Sequence, residues 1–453
     1  MNVDICKCEI SLTDASALEA WNGVVLEILA HGQNAPVHLN TLLETAPEFA
    51  MGHAIKGLAV LMLARREVLP VAVEANKSAQ AALKAGGATA REALWCSALN
   101  DWINGAPTRS VERMEAALRL NPADTISMKM SHGIRFMLGD NHGMRRSVER
   151  VLPAHGVDHP LRGYVLGCLA FAMEETGSYA DAERTGLMGL ELAVNDAWGL
   201  HAVAHVYDMT HRVDDGIALI DQNAAAWGHC NNFRFHVWWH KALLHLDQGD
   251  VAKALDLYDT KIRDDKTDDF RDISNATSLL VRLQLDGVDV GHRWEELADL
   301  SEARVDDGCL VFADLHYMLA LAGDKRTDAA ALMTARIARD ATGPGDMAQV
   351  MKAPGVAAAE GLAAFGEGDY QRAFAGLSAG HTKFQSLGGS HAQRDVFERL
   401  TIEAGLRAGR LDETKTLLDE RTALRGGHED TFAARRMSQI ESARRSQRSI
   451  AAE

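Results

Sequence analysis

Proline is scarce in this chain, and so are aromatic residues. Nine prolines in 453 residues leave little to interrupt a helix, and with aromatics at 6% no window is dominated by strand formers. Long apolar runs are missing as well: the longest, Gly57 to Ala64, is far shorter than the roughly 20 residues that cross a bilayer. Six cysteines include no C-x-x-C pair and no disulfide framework, so reduced thiols are expected. The opening MNVDICKCEISLTDASALEAW places acids where an export signal would place basic and then apolar residues, which makes the cytoplasm the expected location.

Positive charge is also in deficit. A net charge of −16 argues against nucleic acid and against anionic membrane surfaces as partners, because both need clustered Lys and Arg. The exception is the polar C-terminal stretch with Arg435, Arg436, Arg444, Arg445 and Arg448, which reads as a solvated helix or tail over 426–453. No H-E-x-x-H is present, and Gly86-Gly87 and Gly388-Gly389 lack the strand context of a phosphate-binding loop.

What the chain does have is a period. Single hydrophobic cores stop growing at roughly 250 to 300 residues, so 453 residues require several domains or a repeat array. Turn signals recur at Gly105, Gly139, Gly177, His211, Gly249, Gly287 and Gly323, separated by 34, 38, 34, 38, 38 and 36 residues, with weaker continuations at Gly368 and Gly409. That is the period of a helix–turn–helix repeat of the tetratricopeptide kind. Asn121-Pro122-Ala123-Asp124, Asn195-Asp196-Ala197 and Ala46-Pro47-Glu48-Phe49-Ala50 mark joints between units, since Pro and Asn/Asp suit helix starts. The expected fold is an all-α, right-handed α-solenoid of about ten such repeats, continuous over 1–425 and most typical over 88–262. Asp264–Arg271 and Gly343-Pro344-Gly345 read as loops within it.

One run also resembles a named family. NDAW, HAVAH and HCNNFRFHVWWHKALLHLDQGD, together spanning Asp196 to Asp250, are similar to the segment that defines the tetratricopeptide repeat protein 38 family. REALWCSAL, SHGIRFMLG, SLLVRLQLDGVDVGHRW, FADLHYMLALAG and GGSHAQRDVF extend the likeness in order over nearly the whole chain. Ala313 before Asp314, where Asn is expected, and His229-Cys230 are local departures. The resemblance implies a helical-repeat fold in which the first helix of each pair lines a concave groove; it implies no reaction, cofactor or catalytic residue.

Nineteen histidines then become informative. At 100° per residue from each turn, His201 and His205 fall at about 80° and 120°, His236 and His240 at about 140° and 180°, and His132 and His316 at about 20°. His201, His205 and His236 fit the implied groove sector best, while His245 points into the stack. Imidazoles at i and i+4 can chelate one transition metal, so His201/His205 and His236/His240 on successive first helices form a candidate divalent-metal site, with Asp208 extending the first stripe. Packing against Trp227, Trp238 and Trp239 is the competing explanation. Ser390-His391-Ala392-Gln393 reads as a capping box, Cys230 as an inert thiol, and Asp272 and Asn275 as capping or solvating residues.

The functional surface expected from these residues is a groove of His132, His201, His205, Asp208, Asn231, Asn232, Arg234, His236, Trp239, His240, Asp314 and His316, binding a peptide segment or a small polar molecule. The alternative is a metal-dependent hydrolase-type enzyme using His201, His205, His236 and His240. Metal occupancy, enzymatic activity and homo-oligomerisation are left open at this level.

Overall fold

A computed structural model describes residues 2–452, and among these the chain is all-α apart from a two-residue hairpin pairing Asn2–Val3 with Glu9–Ile10. Eleven helix pairs follow one another: Ala15–Ala30 with Ala35–Thr45, Ala50–Leu61 with Leu69–Ala85, Ala90–Ile103 with Pro107–Leu120, Thr125–Leu138 with Asn141–Val151, Arg162–Glu174 with Tyr179–Leu192, Ala197–Met209 with Val213–Gln222, Phe233–Asp247 with Val251–Leu257, Phe270–Leu285 with Arg293–Glu302, Val311–Gly323 with Thr327–Asp340, Val356–Glu367 with Tyr370–His381, and His391–Arg407 with Leu411–Leu424. We call the first helix of each pair A and the second B. A terminal helix, Thr431–Ala452, follows pair 11.

Each pair turns through a residue in the left-handed region. Gly105, Gly139, Gly177, His211, Gly249, Gly287, Gly368 and Gly409 all have positive φ, as their spacing predicts. The ninth turn differs: Gly323 ends its helix and Lys325 takes the left-handed conformation at φ 58°. Gly323 is there for packing, since a Cβ would stand 2.5 Å from the Trp294 ring. His31 (φ 55°) and Ala64 (φ 52°) turn the first two pairs without glycine, which is why the period fades at the N-terminal end of the sequence.

The chain forms two compact units. The first comprises 2–203, 221–234 and 344–349; the second comprises 204–220, 235–343 and 350–452. In the first, Arg91 is buried between Asp4 (2.7 Å) and Asp124 (2.7 Å), and Asp4 also accepts from Trp21 Nε1 at 3.0 Å. Asp124 caps the A helix of pair 4, as the Asn-Pro-Ala-Asp joint foretells. The break at Gly343-Pro344-Gly345 leads into Asp346, whose backbone donates to Gly105 O at 2.9 Å while its carboxylate accepts from Thr108.

In the second unit the A helix of pair 8 packs on that of pair 9, pair 9 on pair 10, and the A helix of pair 11 returns to pair 8. Arg282 of pair 8 donates to the Ala392 carbonyl of pair 11 at 2.7 Å and pairs with Asp395 at 3.5 Å. The terminal helix also packs back. Phe432, Ala433 and Ile440 join Ile402, Leu411 and Leu418 in one core, and Arg436 is buried against Glu403 (3.1 Å) and Asp286 (3.0 Å). The arginines expected to be solvated therefore divide: Arg435 and Arg445 are exposed, Arg436 is buried by its amphipathic helix, Arg444 meets Asp412, and the Arg448 side chain lies outside the described residues.

Turn and packing glycines should respond oppositely to substitution. Gly323→Ala is expected to lower stability by about 1–3 kcal/mol despite alanine's better helix propensity, because the methyl meets Trp294. Lys325→Gly is expected to be neutral or to stabilise by up to about 1 kcal/mol, since it relieves a non-glycine left-handed residue. Urea-denaturation midpoints of the two variants against the native chain measure this.

Candidate metal centre and polar cavity

The i, i+4 spacing of His236 and His240 puts both rings on one side of the A helix of pair 7, where their Nε2 atoms lie 3.2 Å apart. His205, from the A helix of pair 6, meets His240 at a ring-centroid distance of 4.4 Å. One nitrogen from each of the three rings lies within 4.8 Å of the others, and all three residues are buried. His391, first residue of the A helix of pair 11, approaches His205 Nδ1 to 3.5 Å with its Nε2. Asn275 Oδ1, on pair 8, stands 2.8 Å from His236 Nδ1. With Nδ1–H donating to that oxygen, the His236 Nε2 lone pair is directed at the cluster.

A separation of 3.2 Å fits an N–H···N hydrogen bond, and it equally fits two corners of a tetrahedral metal site, about 3.3 Å apart for metal–nitrogen bonds of about 2.0–2.1 Å. Burial lowers the His236 pKa to about 4, against the Asn275 hydrogen bond that raises it. The ring is thus neutral near pH 7, the state in which imidazole ligates a metal.

Beside the cluster lies a cavity of about 70 Å³, entirely within the second unit and lined by His391, Asp208, Arg282, Asp395, Arg421 and Asp430 among others. Arg421 bridges Asp395 and Asp430 at 2.6 Å each, and Arg399 adds a second cation to Asp395 at 2.6 Å. These guanidiniums outweigh burial and hold both carboxyls well below the usual range. Asp208 faces the cavity and pairs with Arg425 at 3.0 Å.

The remaining expected groove residues have packing or hydrogen-bond partners of their own. Trp239 is fully buried, stacks on His236 and donates from Nε1 to Ser278 Oγ at 3.1 Å. Asp314 is not a ligand-facing carboxylate: Arg336 grips it from two nitrogens at 2.6 and 2.9 Å, both residues 1% exposed. His316 bonds the Phe312 carbonyl at 2.8 Å and packs on Phe397. In the first unit, His132 accepts from Trp198 Nε1 at 3.2 Å. His201 stacks on Phe171 and Trp198 inside the same aromatic cluster. Asn231 closes a turn onto Phe233 N (3.0 Å) and donates from its backbone to His31 O, with half-buried Asn232 and Arg234 next to it. Cys230 is buried and its thiol is pushed up to about 12 by desolvation, as an inert cysteine should be.

Helical phase therefore groups the imidazoles, but the sides on which they lie are interior rather than an open groove. Two residues given smaller roles by the sequence reading join the cluster. Asn275 lies 39 positions after His236, one repeat interval, and that offset is the signal that could have found it. His391 heads the expected capping box, with Ser390 and Gln393 in their capping positions, but its approach to His205 spans 186 positions and no periodicity carries it.

No protein-family model matches the chain. Among solved structures it is similar to a chain in the structure of Naa15/Naa10 bound to HypK-THB, at 12% identity and a TM-score of 0.25, covering 90% of this chain and 63% of that one. The present chain thus spans just under two thirds of that chain's length, and the helical-repeat assignment rests on the helix pairs described above. Among the described residues no helix is long and apolar enough to cross a membrane.

Buried neutral histidines make stability depend on pH. Burial lowers the His316 pKa to about 3, far below the unfolded value near 6.5. The unfolded chain then binds the proton more readily, so this contribution is complete above about pH 6.5 and is lost as pH falls toward 3. Unfolding free energy measured from pH 8 to 4 should fall less steeply for His316→Leu than for the native chain; parallel curves would assign the slope to other groups.

Proposed function

We propose that this chain is a helical-repeat protein that holds one divalent transition metal on His205, His236 and His240 and presents it to a small polar ligand at the neighbouring cavity. The observation that carries this reading is the convergence of three buried imidazole nitrogens, two of them 3.2 Å apart and one oriented by Asn275. A metal held by these three imidazoles would supply Lewis-acid and water-activating chemistry near neutral pH, so hydrolysis is the reaction class that fits best. A cavity of about 70 Å³ suits a few waters or a small polar group better than a peptide segment. The scaffold remains compatible with protein-segment binding on its other faces.

Membership of the tetratricopeptide repeat protein 38 family belongs to this reading and is supported by the ordered run of motifs from REALWCSAL to GGSHAQRDVF. A cytoplasmic location is supported by six free cysteines, five of them buried.

Metal analysis of protein made without a histidine tag or chelators tests the centre. About one equivalent of zinc, manganese, iron, cobalt or nickel is expected. Added Zn²⁺ should raise the melting temperature of metal-stripped native protein but not of the folded His205→Ala/His240→Ala variant. Protein without stoichiometric metal, whose melting temperature is indifferent to all five ions, would leave the imidazoles as hydrogen-bonded packing and remove the proposal.

A further inference from the structure

A second hollow, of about 300 Å³, opens in the second unit away from the imidazoles. It lies among the A helices of pairs 8, 9, 10 and 11, with Trp294 from the B helix of pair 8 as one wall. Its floor is apolar: Leu319, Leu362 and Leu400 are each at most 4% exposed, and the Trp294 ring packs directly against Gly323. Its mouth is polar, with Gln284 and Arg407 both exposed.

Arg407 gives the hollow a chemical preference. Nε donates to Glu403 at 2.7 Å and Nη1 to the Tyr370 hydroxyl at 2.7 Å, and the guanidinium lies over the Tyr370 ring, so its plane is fixed. Nη2 donates to no group among the described residues. Glu403 is itself shared with the buried Arg436, so its charge is divided between two guanidiniums. A fixed guanidinium nitrogen beside an apolar floor calls for an anion with an apolar body.

From this geometry we infer that the hollow is a binding site for a small amphipathic monocarboxylate, its carboxylate on Arg407 Nη2 and its apolar body on Leu319, Leu362, Leu400 and Trp294. A 150 Å³ cavity accepts benzene, so twice that volume suits about ten carbon atoms. The inference does not depend on the metal centre, which contributes no residue to this hollow.

Decanoate is the probe, followed by its displacement of 1-anilinonaphthalene-8-sulfonate and by calorimetry on the full chain. Saturable one-to-one binding is expected, with decanol at least about tenfold weaker. Arg407→Gln, at the exposed mouth, should cost decanoate about tenfold and leave decanol unchanged; Ala322→Phe, which fills a partly exposed wall, should abolish both. Failure of decanoate to bind the native chain at millimolar concentration, equal affinity for decanoate and decanol, or binding that survives both substitutions would overturn the assignment.

Discussion

The structure depends on one constraint: polar side chains that the A helices carry into the interior need a complementary group, and several find it about one repeat further along. Arg91 meets Asp124 at a separation of 33 residues, Trp95 meets Ser127 at 32, and His236 and Trp239 meet Asn275 and Ser278 at 39. Each such bond contributes only about 1 kcal/mol net when neutral, yet leaving one partner unmatched costs the full desolvation of a buried group. Neighbouring pairs are thereby locked in register as well as stacked. An apolar interface alone would tolerate a one-turn slip; an indole N–H that must find a serine hydroxyl does not.

The same constraint explains what could be read from the sequence. Left-handed turns leave a mark because glycine fills them cheaply, and eight of the nine expected turn positions adopt positive φ. Gly323 misled because a glycine can serve a neighbouring tryptophan as well as a turn, and the period alone does not distinguish the two. His31 and Ala64 turn without glycine and leave no mark at all. Contacts one repeat apart are recoverable from the spacing. Closure of the second unit is not, because Arg282 finds Ala392 across 110 positions and Arg425 finds Asp208 across 217.

That long-range closure changes the character of the histidine faces. Helical phase puts His205, His236 and His240 on one side of their helices, and the chain does bring them together. The A helix of pair 11 then sets His391 against His205, so the rings line the interior of a unit with a small charged cavity beside His391. Asp314, by contrast, is expected in the same groove but finds Arg336, which neutralises it in the core. Phase identifies which residues leave the outer surface; only the three-dimensional closure shows which of them find a charged partner and which are gathered into one cluster of rings.

The central claim is that these rings converge on a metal, and X-ray absorption at the metal edge of tag-free protein measures it most directly. A first shell of nitrogen or oxygen near about 2.0–2.1 Å, with outer-shell scattering from three imidazoles, is the result this structure leads to. No edge above background, or a first shell of sulfur near about 2.3 Å, would contradict it.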